Sequence, residues 1–463
     1  MASRSRVVSR CAWMVLVVGA CVTDPVGVPG FVGHETAATD ISAATIEVGP
    51  ALLNGNAQAI ASAGFLVPPG APVPPFVEAR LFAIASVAMH DALNAVRPRY
   101  ERYALTQATP APAHPVAAVL TAAHDAIVGA APGAQGPVDA WYATEMAALA
   151  GLPGVAAGVA TGQAAAAAIL ALRASDGTAG GGVAPYTPGA AIGDYQFTFP
   201  FNTPAFDFFG TGGFADGSVW GSSVAPFVVA STSQFRAPRP YGASSNPAAV
   251  LTPQYTRDYL EVQALGCITC AARTPEQGEI AVFWVENSPT GWNRIARTIA
   301  QQRGLNAWDL ARLLALLHMA QFDVYATTLE SKYYYNFWRP VTAIELAASD
   351  NNPVTAPTAG WQVVAFPTPP IPDYPSAHAS AGGSAAAVIG AVTNGPTAFT
   401  TTSGSLPGVT RSFPSARAAA RENALSRIYV GYHFRHATEA GLAQGDQVGR
   451  WVATHALPRA INR

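Results

Sequence analysis

Residues 306–337, NAWDLARLLALLHMAQFDVYATTLESKYYYNF, decide the fold class. Their Leu, Met and Phe residues fall on one side of a long helix. Similar periodic stretches lie on either side of this segment, whereas convincing alternating strands are nearly absent. The sequence therefore predicts an all-α protein of two helical-bundle lobes, with the active site in the C-terminal bundle.

The periodic stretches divide the chain into two helical blocks. An N-terminal lobe is predicted at 76–174, with helices at 76–96, 117–131, 138–149 and 155–173. Residues 175–250 are rich in Gly, Pro, Ser and aromatic residues, which predicts an irregular connection. Residues 251–463 form the C-terminal bundle, in which Thr274-Pro-Glu-Gln277 is a capping box. Its later helices are predicted at 306–337, 376–392, 415–430 and 436–457.

The first 22 residues have the pattern of a secretion signal. Arg4, Arg6 and Arg10 precede an apolar run at 11–22 that is too short to span a bilayer. We therefore expect a signal peptide at 1–22, a flexible leader at 23–75, and a secreted or periplasmic protein. The sequence before Cys21 also fits a weak lipobox, so a lipid anchor at Cys21 stays open. No later stretch predicts a transmembrane domain.

The low charge content limits the classes of binding partner. Only 12% of the residues are charged, with 26 basic against 28 acidic, so no field exists to attract nucleic acid. Anion affinity must come from a few local cations, and the expected partners are small molecules; a homo-oligomer stays open.

Cys267 and Cys270 form a C-x-x-C pair that predicts a local disulfide, since the context for a redox site or a zinc site is missing.

Three segments of the second block gather oxyanion ligands. The first contains Lys332 and Arg339-Pro340. Seven residues on a helix bring Lys332 and Arg339 to nearly the same face, about 10.5 Å apart along the axis. Long side chains can converge from there on one ligand.

The second segment, Tyr374-Pro-Ser376-Ala377-His378, directly precedes a helix rich in Ala and Gly. The Ser376 hydroxyl and the Ala377 and His378 amides suit an anion at a helix N-terminus, and His378 suits proton transfer. In the third segment Arg427 can bind two oxygens, with His433 six residues later. Six is not a same-face helical spacing, so a turn or helix end at Gly431 is needed to aim both inward. Each segment alone also occurs on ordinary helices, whereas their joint occurrence indicates a site.

The three segments together resemble a known signature. K-x6-R-P, P-S-G-H and S-R-x5-H characterise the superfamily that joins vanadium-dependent haloperoxidases with type 2 phosphatidic acid phosphatases and bacterial acid phosphatases. The long, two-lobed helical chain looks like a bacterial vanadium-dependent haloperoxidase over roughly residues 76–457. The resemblance implies a vanadate cofactor, and phosphate can occupy the same site.

The resemblance also implies residue roles. It assigns the oxygens of vanadate to Lys332, Arg339, Ser376, the amide of Ala377, and Arg427. His433 is the implied axial ligand of the metal, His378 the acid–base residue, and Lys332 also polarises the oxidant. A trianionic oxo species fits several cationic donors, since each charge-assisted hydrogen bond contributes about 1.5–3 kcal/mol.

The implied activity is a vanadate-dependent haloperoxidase that oxidises halide with hydrogen peroxide to hypohalous acid. An acid-phosphatase-like hydrolase of phosphomonoesters or pyrophosphate is the alternative, with His433 as nucleophile. A non-catalytic oxyanion-binding protein is a third possibility. Two departures bear on this choice: Ala377 replaces the usual Gly of the second motif, and Ala437 stands where phosphatases often carry the Asp that orients the last His. Glu439 could compensate for the missing Asp if the helix turns suitably. His436 could be proposed as a substitute ligand, although we expect it to pack or face solvent.

Overall fold

The computed structural model describes residues 48–107, 109, 112–178, 184–214 and 217–460. The predicted signal peptide at 1–22, Cys21 and the first part of the predicted leader lie outside these ranges. The described chain is mostly helical with two short strands, which confirms the all-α prediction.

Helices build the first half of the described chain. Proline stands at the first helical position of two of them, where its missing N–H costs no hydrogen bond. The helices are α1 (Val48–Ser62), α2 (Pro75–Val96), α3 (Pro115–Ala130), α4 (Gln135–Ala147) and α5 (Val155–Arg173).

Helix α1 corrects the prediction of a flexible leader at 23–75. Its residues Leu52 and Leu53 are fully buried in the same core as α2 and α3. Gly55 allows this close approach, because a Cβ there would lie 2.8 Å from the Met89 sulfur. The helical period of apolar residues was weak in the sequence because a small residue, Gly55, makes the contact with Met89.

Helix α5 is long and apolar enough, by length and composition, to cross a membrane. In this structure Gly158, Gly162 and Ile169 lie in its buried face. A Cβ at Gly162 would lie 2.5 Å from the Ala118 carbonyl oxygen, so α5 and α3 pack with their backbones nearly touching.

The connection after α5 contains few regular elements, among them α6 (Trp220–Ser223). It is held to the second half by Asp323, whose carboxylate accepts hydrogen bonds from the backbone N–H groups of Phe227, Val228 and Val229 at 2.6–3.0 Å. These bonds satisfy a buried carboxylate and fix an irregular segment against the bundle.

The remaining helices form the C-terminal bundle. In chain order they are α7 (Asn246–Val250), α8 (Pro253–Leu265), α9 (Pro275–Phe283), α10 (Ser288–Gln302), α11 (Ala307–Tyr335), α12 (Pro340–Glu345), α13 (Ala377–Val392), α14 (Ala416–Tyr429) and α15 (Arg435–His455). The predicted capping box at Thr274 and Gln277 starts α9. Between α13 and α14, strands β1 (Phe399–Thr402) and β2 (Thr410–Phe413) form an antiparallel hairpin with Phe399 opposite Phe413.

The crossing of α13 and α15 is a seam of small residues, which we call the glycine seam. Gly441, Gly445 and Gly449 of α15 face the backbone of α13 at four-residue intervals. A Cβ on Gly445 would lie 2.0 Å from the Ser380 carbonyl oxygen, so any side chain there would separate the helices. The seam fixes the N-terminus of α13 against α15.

The described core is continuous across both halves, since one hydrophobic cluster joins α1–α5 to α10, α11, α13 and α15. A second cluster lies under the segments that the motifs selected. It includes Trp338, Tyr374, Tyr432 and Phe434. Large aromatic residues therefore pack against the segments that carry the motifs.

Candidate functional site

The motif residues converge in the C-terminal bundle and are taken out of water. Lys332 and Ser376 have no exposed surface, Arg339 and Arg427 are 1% exposed, and His433 is 4% exposed. Ala377 is also buried, and His378 is partly buried. Cations are seldom buried this completely unless partners or a ligand compensate them.

Lys332 and Arg339 do not lie on one helix, which corrects the prediction of a helix through residue 337. Helix α11 ends at Tyr335 because Asn336 adopts a left-handed conformation with φ of 53°. Arg339 is extended (φ −83°, ψ 156°), as a residue before proline requires, and Pro340 starts α12. The side chains of Lys332 and Arg339 approach each other because the helix ends between them, and not because they share one helix face.

Both cations are held by carbonyl oxygens of the loop that leads into α13. Lys332 Nζ donates to the Pro372 oxygen at 2.6 Å and the Asp373 oxygen at 2.9 Å. Arg339 Nε donates to the Ile371 oxygen at 2.8 Å. This loop therefore sets the position of the two charges.

The second motif begins α13 as predicted, with Ser376 as its N-cap and Ala377 as its first residue. Among the described residues the buried Ser376 Oγ has no hydrogen-bond partner. Its own N–H donates to the Ala437 oxygen at 2.9 Å. Ala377 does not have a positive φ, so replacing the usual Gly introduces no backbone strain. An unpaired hydroxyl and free first-turn amides make a donor cradle.

Gly431 supplies the turn that the third motif requires. It has φ of 88°, directly after α14 ends at Tyr429. The backbone folds back so that the His433 N–H donates to the Arg427 oxygen at 3.2 Å. Arg427 NH1 donates to the Trp284 oxygen at 3.0 Å, while its buried Nε lacks a partner in the described structure. The predicted turn at Gly431 is thus confirmed.

His433 stands between a cation and a carboxylate. Arg339 Nη1 lies 2.9 Å from His433 Nε2, and His433 Nδ1 lies 2.8 Å from Asp373 Oδ1. The second contact has ion-pair distance without hydrogen-bond alignment. The sequence motifs did not identify Asp373, although it lies only three residues before Ser376.

His378 faces the segment before α10. Its Nε2 lies 3.2 Å from the Glu286 carbonyl oxygen, so Nε2 carries the proton and Nδ1 is the nitrogen able to accept one. Burial lowers the pKa of His378 well below its usual range, and the positive charge of Arg427 adds to this shift. His378 is therefore a base that holds its proton weakly.

The charged groups of the site have shifted pKa values and leave an excess of positive charge. Burial lowers the pKa of Lys332 well below its usual range, and Arg339 lowers it further. Burial raises the pKa of Asp373 to about 7, despite the opposing effect of Arg339 and Lys332. Three cationic side chains thus face one carboxylate, which leaves at least two positive charges without an anion when Lys332 is protonated.

The other candidate residues near the last motif take structural roles. His436 is stacked between Tyr241 and Tyr374, with ring centroids at 4.5 and 5.2 Å. Its Nε2 accepts a hydrogen bond from the Tyr241 N–H. Glu439 is exposed and does not replace the acid missing at Ala437. Cys267 and Cys270 form the predicted disulfide, next to Gly266.

Comparison with known proteins relates this site to one family. Residues 312–460 match the family model described as the VCPO second helical-bundle domain. Vanadium chloroperoxidase of Curvularia inaequalis is 24% identical over 280 residues, covering 46% of this chain; the chain spans 45% of the length of that relative.

The fold is shared more widely than the sequence. A bacterial vanadium-dependent iodoperoxidase superposes with a TM-score of 0.73 at 23% identity, covering 91% of this chain and 100% of the iodoperoxidase. An apo-type bacterial vanadium-dependent chloroperoxidase gives 0.63 at 18% identity, covering 82% of this chain and 92% of the other. The resemblance predicted from the motifs is thereby confirmed: residues 312–460 match the second helical-bundle domain of this family, and the described fold is similar to that of bacterial vanadium-dependent haloperoxidases.

Proposed function

We propose that this protein is a vanadate-dependent haloperoxidase that oxidises a halide with hydrogen peroxide to hypohalous acid. The observation that carries the proposal is the buried site itself. The three cations Lys332, Arg339 and Arg427 lie around a buried site. This site contains one carboxylate, Asp373, and the unpaired hydroxyl of Ser376. Such a site favours a small, highly charged oxyanion.

The residues fit vanadate in charge and in hydrogen-bonding capacity. Its oxygens only accept hydrogen bonds when deprotonated, and the site offers mainly donors: the Lys332 ammonium, two guanidinium groups and the Ser376 hydroxyl. The first-turn amides of α13 add the positive end of a helix dipole. His433 Nε2 is the nitrogen that would bind the metal, in exchange for its present contact with Arg339. Bound vanadate supplies a Lewis-acidic centre that activates hydrogen peroxide toward halide.

The protein's own residues then perform three tasks. The cations hold the negative charge, and an anion among them restores the pKa of Lys332 toward its usual value. His378, bonded through Nε2 to Glu286, accepts a proton at Nδ1 and returns it. Burial keeps bulk water from competing for these donors.

Phosphate-ester hydrolysis remains the second candidate because of one observation. Phosphatases use a carboxylate to orient the nucleophilic His, and the absence of one at Ala437 argued against this activity. Asp373 brings a carboxylate to His433 from another segment. The site thus has the parts for a phospho-histidine mechanism, with His378 protonating the leaving alcohol.

The deciding experiment uses purified apo-protein in two assays. Halide oxidation is followed with monochlorodimedone or by triiodide formation, with hydrogen peroxide and with or without orthovanadate; p-nitrophenyl phosphate hydrolysis is followed in parallel. Halide oxidation that requires vanadate supports the proposal. Phosphate release that vanadate inhibits would replace it with the hydrolase, and anion binding without turnover in either assay would indicate a non-catalytic protein. Export, with or without a lipid anchor at Cys21, remains a proposal from the sequence.

A further inference from the structure

We propose that Asp373 is the positioning residue for His433, keeping the imidazole proton on Nδ1 so that Nε2 faces the bound oxyanion. The inference rests on the proposed oxyanion site and applies to both candidate chemistries, since a metal ligand and a phosphate nucleophile both need a free Nε2.

The contacts of the His433 ring indicate which nitrogen carries its proton. Arg339 is a donor only, and its Nη1 lies 2.9 Å from Nε2 and 3.4 Å from Nδ1 of His433, so the nearer nitrogen, Nε2, is the acceptor of this imidazole. A neutral imidazole with an acceptor Nε2 carries its proton on Nδ1. Nδ1 lies 2.8 Å from Asp373 Oδ1, which is within hydrogen-bonding distance once the two groups are aligned.

The backbone of Asp373 is hydrogen-bonded on both its N–H and its carbonyl oxygen. Its N–H donates to the Phe337 oxygen at 2.8 Å, and its carbonyl oxygen accepts from Lys332 Nζ at 2.9 Å. The side chain is 1% exposed. The backbone of Asp373 therefore has a fixed position and is linked to a cation of the same site, which keeps the buried carboxylate beside His433.

The acid beside His433 stands at position 373 and not at position 437. Ala437 lies in the first turn of α15 with a buried methyl group, and its carbonyl oxygen accepts the Ser376 N–H. Among the described acidic residues only Asp373 lies within ion-pair distance of His433. The carboxylate beside His433 therefore comes from the loop before α13 and not from the first turn of α15.

The test compares Asp373→Ala and Asp373→Asn with the wild type. Dissociation constants for orthovanadate and for inorganic phosphate are measured by calorimetry, and the His433 tautomer is read from long-range ¹H–¹⁵N spectra of ¹⁵N-histidine-labelled apo-protein. Asp258→Asn is the matched control, because Asp258 is also buried but accepts hydrogen bonds from the His436 N–H and the Tyr241 hydroxyl.

We expect Asp373→Ala to weaken vanadate binding about 10–100-fold, as loss of a group behind a metal ligand usually does, and Asp373→Asn to weaken it less. His433 should change from one Nδ1–H tautomer to a mixture. Asp258→Asn should leave both readouts near wild type. Wild-type vanadate affinity and an unchanged tautomer in the Asp373 variants that fold would overturn the inference. If the wild type binds neither anion, the proposed function fails, and the tautomer in the apo-protein still decides the role of Asp373.

Discussion

Gly431 packs directly on Gly266: a Cβ built on Gly431 would lie 2.3 Å from the Gly266 carbonyl oxygen. Gly431 also has φ of 88°, a conformation that residues with a side chain rarely adopt. Two independent requirements thus select glycine between Arg427 and His433. The neighbour of Gly266 is Cys267, so the disulfide loop supports the turn from behind.

Gly431→Ala is expected to damage the fold and the site together. The strained φ alone costs about 1–3 kcal/mol, and the contact with Gly266 adds to this. We expect a lower midpoint of thermal unfolding and weaker vanadate binding, because both flanking ligands shift. Gly390→Ala is the control, since a Cβ there meets no atom within 4 Å. Equal stability of the two variants would contradict the assignment.

Arg427→Ala should weaken vanadate and phosphate together. One lost charge-assisted hydrogen bond of about 1.5–3 kcal/mol corresponds to about a 10–100-fold higher dissociation constant. Calorimetric titration with each anion measures it, with exposed Arg450→Ala as control. A loss confined to one anion would mean that the two do not share a pocket.

His378→Ala should separate turnover from binding. The variant loses the nitrogen proposed to move protons but keeps the three cations and Ser376. We expect turnover to fall by about 10²–10⁴-fold while vanadate affinity changes by only a few fold. Halide oxidation and anion titration on one preparation give both numbers, and exposed His455→Ala serves as control. Unchanged turnover would remove His378 from the mechanism.

Glu78 of α2 predicts a pH dependence of stability. Burial raises its pKa to about 7 from an ordinary value of 4.5, against the lowering effect of a hydrogen bond from Thr290. The folded state therefore binds more protons than the unfolded state between these values. Its contribution to stability is complete below pH 4.5 and is lost as the pH rises to about 7, by up to about 3 kcal/mol.

Glu78→Gln removes this titration and keeps an oxygen for Thr290. Urea unfolding at pH 5 and pH 8 should show a smaller difference in the free energy of unfolding for the variant, which gains stability relative to wild type at pH 8. Parallel changes in the two proteins between pH 5 and pH 8 would show that Glu78 is not the group responsible.

The sequence predicted most helices because large apolar residues repeat along them, as in α11 and α2. It did not predict α1, where most buried residues are small and only Leu52 and Leu53 are large, which leaves a weak period. The end of α11 was also placed too late. Its termination depends on Asn336, whose left-handed conformation is stabilised by hydrogen bonds from the distant connection to its carbonyl oxygen.

The residues of the site were predictable or not for similar reasons. The cations and histidines were predictable because they lie in short motifs, and the turn at Gly431 followed from the six-residue spacing. Asp373 was not, because its relation to His433 joins segments sixty residues apart and depends on how the loop before α13 folds. Its nearness to Ser376 in the sequence was the available signal.

The glycine seam has a consequence for how this protein could change over time or be redesigned. Gly441 faces the Ser376 carbonyl oxygen, where a Cβ would lie only 2.4 Å away. Side chains added along the seam would push α13 off α15 and move the amide donors at its start, although no residue of the seam on α15 bears a ligand. We therefore expect a library of α15 variants to tolerate exchange on the outer face and to reject bulk at 441, 445 and 449. The range of sequences compatible with the anion site is thus limited by helix spacing as much as by the ligands themselves.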